Sequence, residues 1–272
     1  MNPSWQSATS FARDVGNFFA ANDPWKHNLS IKFARTAPFP FTSGSDLAWV
    51  GRVEIQHMWG IKAGQIHPYD SVPRHVYMAE DYYEDYVPAP GFANPRYYYR
   101  WGFWSWILSG GSFNYGGWYQ TIAPYSTTKF TGLDSVPHIG SYFKTRKIDL
   151  GLFHPDPGLV SDYRPGARVV NDAESMELMR RGTSEFIIYH PNYSVDGQGA
   201  TLDSDVAAGL KLDLTSAPGT FSVEWYRPHD GTFHAAGTLS GGTVHTLTAP
   251  WVGYDAVLRL LKDGPAPREG DR

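Results

Sequence analysis

The segment His75–Glu84, HVYMAEDYYE, holds the densest chemistry in the chain. An apolar stretch runs directly into two carboxylates, two phenols and a third carboxylate. A carboxylate at a strand end can act as a nucleophile, or give and take a proton, if the strand fixes its direction. Glu80 is the first acid of this run and the candidate catalytic group. The plain alternative is that Glu80 and Glu84 are solvated loop acids. A second group, Gln56-His57-Met58-Trp59, closes another apolar run. Gln56 and His57 can hydrogen-bond hydroxyl groups and Trp59 can lie beneath a flat ring; the alternative is a strand end packed on its neighbour. The third is Ser109–Trp118, SGGSFNYGGW. Its glycines permit tight turns and close backbone approach, and such a loop can present Asn114, Tyr115 and Trp118 to a cleft. It lacks the GK[ST] step of a phosphate loop.

Several chemistries are excluded or disfavoured. The chain has no cysteine, so thiol catalysis, disulfides and cysteine-ligated zinc are out. Its ten histidines form no HExxH or similar pair, so no metal site is expected, and no cofactor is implied. There is no G-x-S-x-G elbow. The net charge of −4 comes without a basic run, which argues against nucleic acid as a partner. Charged residues, Gly or Pro interrupt every apolar stretch, so no membrane span is expected. The start, MNPSWQSATSFARDV, has neither the basic beginning nor the apolar core of a signal peptide; the compartment is not indicated. Aromatic residues make up 15% of the chain. That surplus fits either a large core or a cleft where flat rings stack on sugar rings.

Positioning such groups requires a scaffold, and the periodicity describes one. Trp5, Ala8, Phe11, Ala12, Val15, Phe18 and Phe19 recur at helical spacing, which predicts an amphipathic helix over residues 5–20 with Ser4 as N-cap. Asp23-Pro24 ends it. Strands are expected at Leu29–Phe33, Arg52–Met58 and His75–Ala79, and a helix, apolar nearly all round and therefore buried, at Pro95–Leu108. A closing helix is expected around Val136–Phe143. This alternation predicts parallel β/α architecture. Beyond about Pro165 the period switches to two. Strands are expected at 175–179, 185–189, 211–214, 221–226, 234–236, 243–247 and 256–261, separated by turns such as His229-Asp230-Gly231 and Ser240-Gly241-Gly242. Short, evenly spaced strands of this kind predict an antiparallel β-sandwich, with Trp225 and Trp251 at its core or its interface.

In this order the motifs resemble the apiosidase-like family of (β/α)8-barrel glycoside hydrolases. HVYMAEDYYE is similar to that family's strand ending in a catalytic glutamate. RYYYRWGFWSWILSGGSFNYGGWYQ resembles its Arg-led helix and glycine-tyrosine loop, and Asp23-Pro24-Trp25-Lys26-His27 its Asp-Pro-Tyr-x-His step. VEWYRPHDGTFHAAG resembles the small β-sandwich domain labelled collagen-binding in that family, here read as structural. The resemblance implies a retaining glycosidase (O-glycosyl hydrolysis in carbohydrate metabolism) with a nucleophile at the seventh barrel strand and an acid/base at the fourth. Carried over, Glu80 matches the nucleophile and Tyr83-Glu84 its companions. Met78-Ala79 before Glu80 and Asp81-Tyr82 after it depart from the pattern, which keeps Glu84 as a second candidate.

The resemblance also implies a division of the chain: residues 1–164 as strands five to eight of a TIM-type barrel, 165–264 as the sandwich, and 265–272 as a flexible tail. A full barrel needs about 250 residues, so the first half and its acid/base are expected on a partner chain, making a split barrel and a hetero-oligomer with a carbohydrate substrate. The alternatives are a self-complementing homodimer and a non-catalytic carbohydrate-binding or structural subunit.

Overall fold

A computed structural model describes residues 3–32, 38–56, 66–81, 83–84, 94–116, 131–164, 176–193 and 201–263. Helix α1 spans Pro3–Asn22. It begins ahead of Ser4, so Ser4 lies inside the helix and is not its cap; Pro3, with its fixed φ, suits a first helical turn. Asp23 ends it, accepting the backbone N–H groups of Trp25 (3.0 Å) and His27 (2.7 Å). α1 is fastened along one line. Arg13 makes two hydrogen bonds to Asp46 (2.8 and 3.0 Å), and Gly16 sits so close to Trp49 that a Cβ would lie 2.4 Å from the indole. The predicted apolar stripe is not covered: Phe11, Phe18 and Phe19 are 71%, 61% and 48% exposed.

Four chain segments then lie side by side, all parallel and in chain order. Leu29–Lys32 bridges to Val50–Glu54. Strand β1, Arg52–Gln56, pairs with β2, His75–Glu80, from Arg52 opposite His75 to Ile55 opposite Met78. A bulge follows, setting Gln56 across from Glu80. Tyr77 bridges to Ser112, with Met78 N–H donating to Ser112 O at 2.9 Å. Helix α2, Pro95–Leu108, delivers that last segment. Gly110 takes φ +81° just past its end, and a Cβ on Gly111 would stand 2.9 Å from the Val76 carbonyl. The glycines thus serve a left-handed turn and a close strand approach. Helix α3 covers Val136–Arg146.

The remaining strands are β3 (His154–Pro155), β4 (Val160–Asp162), β5 (Glu177–Arg181), β6 (Glu185–His190), β7 (Gly209–Asp213), β8 (Thr220–Arg227), β9 (Thr232–Ser240), β10 (Val244–Thr248) and β11 (Ala256–Lys262). They form a six-stranded sheet, β3-β5-β6-β11-β8-β9, and a three-stranded one, β10-β7-β4. Every pairing is antiparallel. β3 and β4 precede residue 165 yet pair within these sheets. An apolar layer between the sheets joins Leu178, Ile188, Trp225 and Leu258 to Val160, Leu210 and Leu212. Trp251 packs against that layer, edge to face with Trp225.

Residues of alternate parity on the large sheet (Met179, Ile187, Tyr189, Tyr226, Val257) face the other way and join the core of α2 and α3. Period two is therefore used on both faces, and all six residues of β6 are buried. α2 lies in this second core. Trp104 stacks on Tyr189 and meets Tyr142 of α3 edge to face; Trp101 stacks on Tyr193. Arg100 and Asp255 are 1% and 0% exposed and form a forked pair, with Nε and Nη2 at 2.8 Å from the two carboxylate oxygens. Tyr189 donates to the same carboxylate at 3.1 Å. Burial works against the Arg100 cation, but Asp255 outweighs it and raises the guanidinium's hold on its proton.

Two outcomes follow for stability. Removing one partner strands a buried charge, so Arg100→Met and Asp255→Asn should each cost about 3–5 kcal/mol in urea unfolding, and the double substitution less than their sum. Wild-type stability in either single variant would remove the pair from its structural role. Glu177 is fully buried; its carboxylate makes no well-formed hydrogen bond among the described residues, the Ser109 hydroxyl being the group close enough to ease its charge. Burial pushes its carboxyl up to about 8, against about 4.3 for a free glutamate. Between those values the folded chain binds more protons than the unfolded one, so this contribution is lost as pH rises through the window. Glu177→Gln should therefore melt like wild type near pH ~4 and above it near pH ~9 by scanning calorimetry. An unchanged melting temperature at the higher pH would show that Glu177 does not titrate this way.

Candidate active site

Glu80 is the last residue of β2, at the carboxyl end of a parallel strand, where side chains leave the sheet layer. Its side chain is 24% exposed. Both oxygens are engaged: the Tyr83 hydroxyl donates to Oε1 at 2.5 Å, and the Lys32 ammonium pairs with Oε2. Lys32, itself 42% exposed, reaches over β1 from the Leu29–Lys32 segment on its far side. A carboxylate held by two donors from different segments has a fixed direction, as attack on an electrophilic carbon requires. Gln56, half-buried, ends β1 beside it across the bulge.

The two other acids of the run have different surroundings. Asp81 is 4% exposed and points inward, accepting from the Tyr98 hydroxyl of α2 at 2.6 Å. Glu84 accepts the backbone N–H groups of Thr131 (2.6 Å) and Gly132 (2.9 Å) and the Tyr115 hydroxyl (2.8 Å). Its own N–H donates to Gly116 O at 2.9 Å. Glu84 thus binds three stretches of chain together, and its acceptor capacity is spent on them.

Of the other expected site residues, Asn114 donates to the Ala79 carbonyl at 3.0 Å, one residue before Glu80. Tyr115 is joined to Glu84 and packs on Tyr99, whose hydroxyl donates to Gly116 O at 2.8 Å. Gln56, Tyr83, Glu84, Asn114 and Tyr115 are therefore gathered around the end of β2. His57, Trp59 and Trp118 lie outside the described residues. Lys32 was missed from the sequence. Lys32 sits inside the expected strand Leu29–Phe33, where a single cation among apolar residues carries no spacing that links it to Glu80. Among the described residues no group of three or more His, Asp or Glu could hold a metal ion, and no helix is long and apolar enough to cross a membrane.

No family model and no curated protein sequence matches the chain. Solved structures do. A glycoside hydrolase superposes with a TM-score of 0.56 at 15% identity, covering 79% of this chain and 53% of its own. A family 5 glycoside hydrolase from Bacteroides vulgatus gives 0.57 at 15% identity, covering 80% and 52%. A maltogenic α-amylase from Thermotoga neapolitana gives 0.51 at 9% identity, covering 90% and 57%. At these identities the likeness establishes a glycoside-hydrolase-like fold. The chain spans about half the length of these structures.

Charged hydrogen bonds of the Glu84 kind contribute about 1.5–3 kcal/mol each. Tyr115→Phe, which removes a single donor, should thus lower unfolding stability by about 1.5 kcal/mol, and Glu84→Ala, which removes the shared acceptor of three, by about 4.5 kcal/mol or more. Equal melting of Glu84→Ala and wild type would show that Glu84 does not brace the site.

Proposed function

We propose that this chain is a glycoside hydrolase component with a retaining mechanism, in which Glu80 is the nucleophile. The observation that carries the reading is Glu80 itself: a partly exposed carboxylate at the carboxyl end of a parallel strand, fixed by Tyr83 and Lys32, within a fold shared with glycoside hydrolases. Residues 1–164 are read as the second half of a (β/α)8 barrel, 165–264 as a β-sandwich and 265–272 as a tail. The sequential parallel order of the four segments and the two antiparallel sheets with a shared apolar layer support such a division, with its boundary moved ahead of His154 because β3 and β4 pair within the antiparallel sheets.

In this mechanism a Glu80 oxygen attacks the anomeric carbon as the bond to the leaving oxygen breaks. A second carboxylate, about 5–5.5 Å away, gives that oxygen its proton. The same group then takes a proton from water, which attacks the glycosyl-enzyme, frees Glu80 and returns the sugar with retained configuration. That second carboxylate belongs to a partner chain carrying the barrel's first half. Gln56 faces the sugar beside Glu80; His57, Trp59 and Trp118 are assigned to sugar binding on their residue types alone. Tyr83 orients the nucleophile, and Asn114, Tyr115 and Glu84 hold the frame around it.

In the assembled enzyme, Glu80→Gln should lower turnover of an aryl glycoside by about 10³-fold or more while leaving the melting temperature within about 2 °C. Glu80→Gly with added azide should release a glycosyl azide, because azide replaces the missing nucleophile. Near-wild-type turnover by Glu80→Gln would end this assignment.

A further inference from the structure

The apolar stripe of α1 and the edge formed by Leu29–Lys32 border one groove of about 490 Å³, lined by Phe11, Val15, Phe19, Leu29, Ile31 and Trp49 among others. Its lining includes a single charged residue, Lys32. Among the described residues the Leu29–Lys32 segment pairs on one side only, with Val50–Glu54. A sheet edge left open beside an uncovered apolar helix face is a surface that folded chains cover.

We propose that this groove seats a β-strand and its attached helix from a polypeptide segment outside these 272 residues, the front half of the barrel. The strand runs parallel to Leu29–Lys32, and its helix packs on Phe11 and Phe18. This rests on the proposed function and names where its missing half docks. Three observations select this occupant. The pairings of the adjoining segments are all parallel and in chain order, so the next strand out continues a parallel sheet. A second copy could continue the sheet in parallel only by offering its opposite edge, the segment at Ser112, and that segment, SFNYG, carries no carboxylate for Lys32 or for the reaction. The superposed structures carry about as much further chain as they share with this one, a body of the required size. Finally, Lys32 lines the groove; its ammonium has three donors and bonds Glu80. An incoming strand that ends in a carboxylate meets a cation there, directly beside the nucleophile.

The test places the photo-crosslinking residue benzoylphenylalanine at Phe18, and separately at Phe11, in the full chain made in its own cells. Both rings are mostly exposed, so the fold tolerates the change. The expected result is a crosslink to one peptide absent from these 272 residues and lying in a strand–helix unit. Co-expression of that polypeptide should then give a one-to-one complex by light scattering, weakened at least tenfold by Phe11→Asp with Phe18→Asp, with circular dichroism of the chain unchanged. Crosslinks to a second copy alone, crosslinks with no reconstituted complex, or no crosslink from a chain that is monomeric by light scattering would overturn the docking proposal. A reconstituted complex without glycosidase activity would leave the docking intact and sink the functional reading. A monomer that cleaves glycosides through Glu80 would do the reverse.

Discussion

A guanidinium and a carboxylate cannot be shut away from water unless each is the other's solvent. Arg100 and Asp255, 155 positions apart, meet under that condition. The pair pins α2 against β11 and β6, and the helix then has no free side: its rings contact α3, the large sheet and the segment before β7. The same helix reaches the site. Tyr98 holds Asp81, the residue after Glu80, and Tyr99 holds Gly116, which in turn bonds the backbone of Glu84. The direction of Glu80 is thus set through α2 by the antiparallel sheets behind it, although those sheets contribute no atom to the site. Such a pair gives position more than net stability, because desolvation offsets much of its attraction.

Much of the fold could be read from residue spacing. Apolar residues all round Pro95–Leu108 gave a buried helix with those bounds, and strict alternation located the strands from Glu177 to Lys262 to within a few residues. Spacing says which face of an element is apolar, not what covers it. The stripe of α1 was legible, but its exposure was not. Likewise Met179, Ile187 and Tyr189 alternate correctly, yet that they face α2 while Leu178 and Ile188 face the second sheet depends on which layers flank the sheet. Ion pairs between distant segments, such as Arg100 with Asp255 or Lys32 with Glu80, leave no periodic trace.

The site shows the same division. HVYMAEDYYE announced a strand ending in acids, but sequence alone left Glu80 and Glu84 as rivals. Their partners separate them. Asp81 follows Glu80 by one residue and so turns to the opposite side, into the phenol of Tyr98. Glu84 is held by two backbone N–H groups and a hydroxyl, and a carboxylate with that many donors is a poor nucleophile because attack must first break some of them. Glu80 keeps a face toward solvent and is held by groups that orient it without enclosing it. Among three acids in one short run, burial sets Asp81 apart from Glu80, and the number of its donors sets Glu84 apart.

The surface that folding leaves unfinished and the chemistry that the site lacks converge on one place. The exposed stripe of α1 and the side of Leu29–Lys32 that is unpaired among the described residues bound a groove lined by Lys32, and Lys32 contacts Glu80. A retaining reaction requires a second carboxylate across the sugar from Glu80; Asp81 and Glu84 are turned away or bound. A body that extended the parallel sheet by one strand would cover the apolar rings and bring its own strand end within reach of Lys32. One addition would then meet both the packing demand and the chemical one, which is why the two are best treated as a single structural requirement.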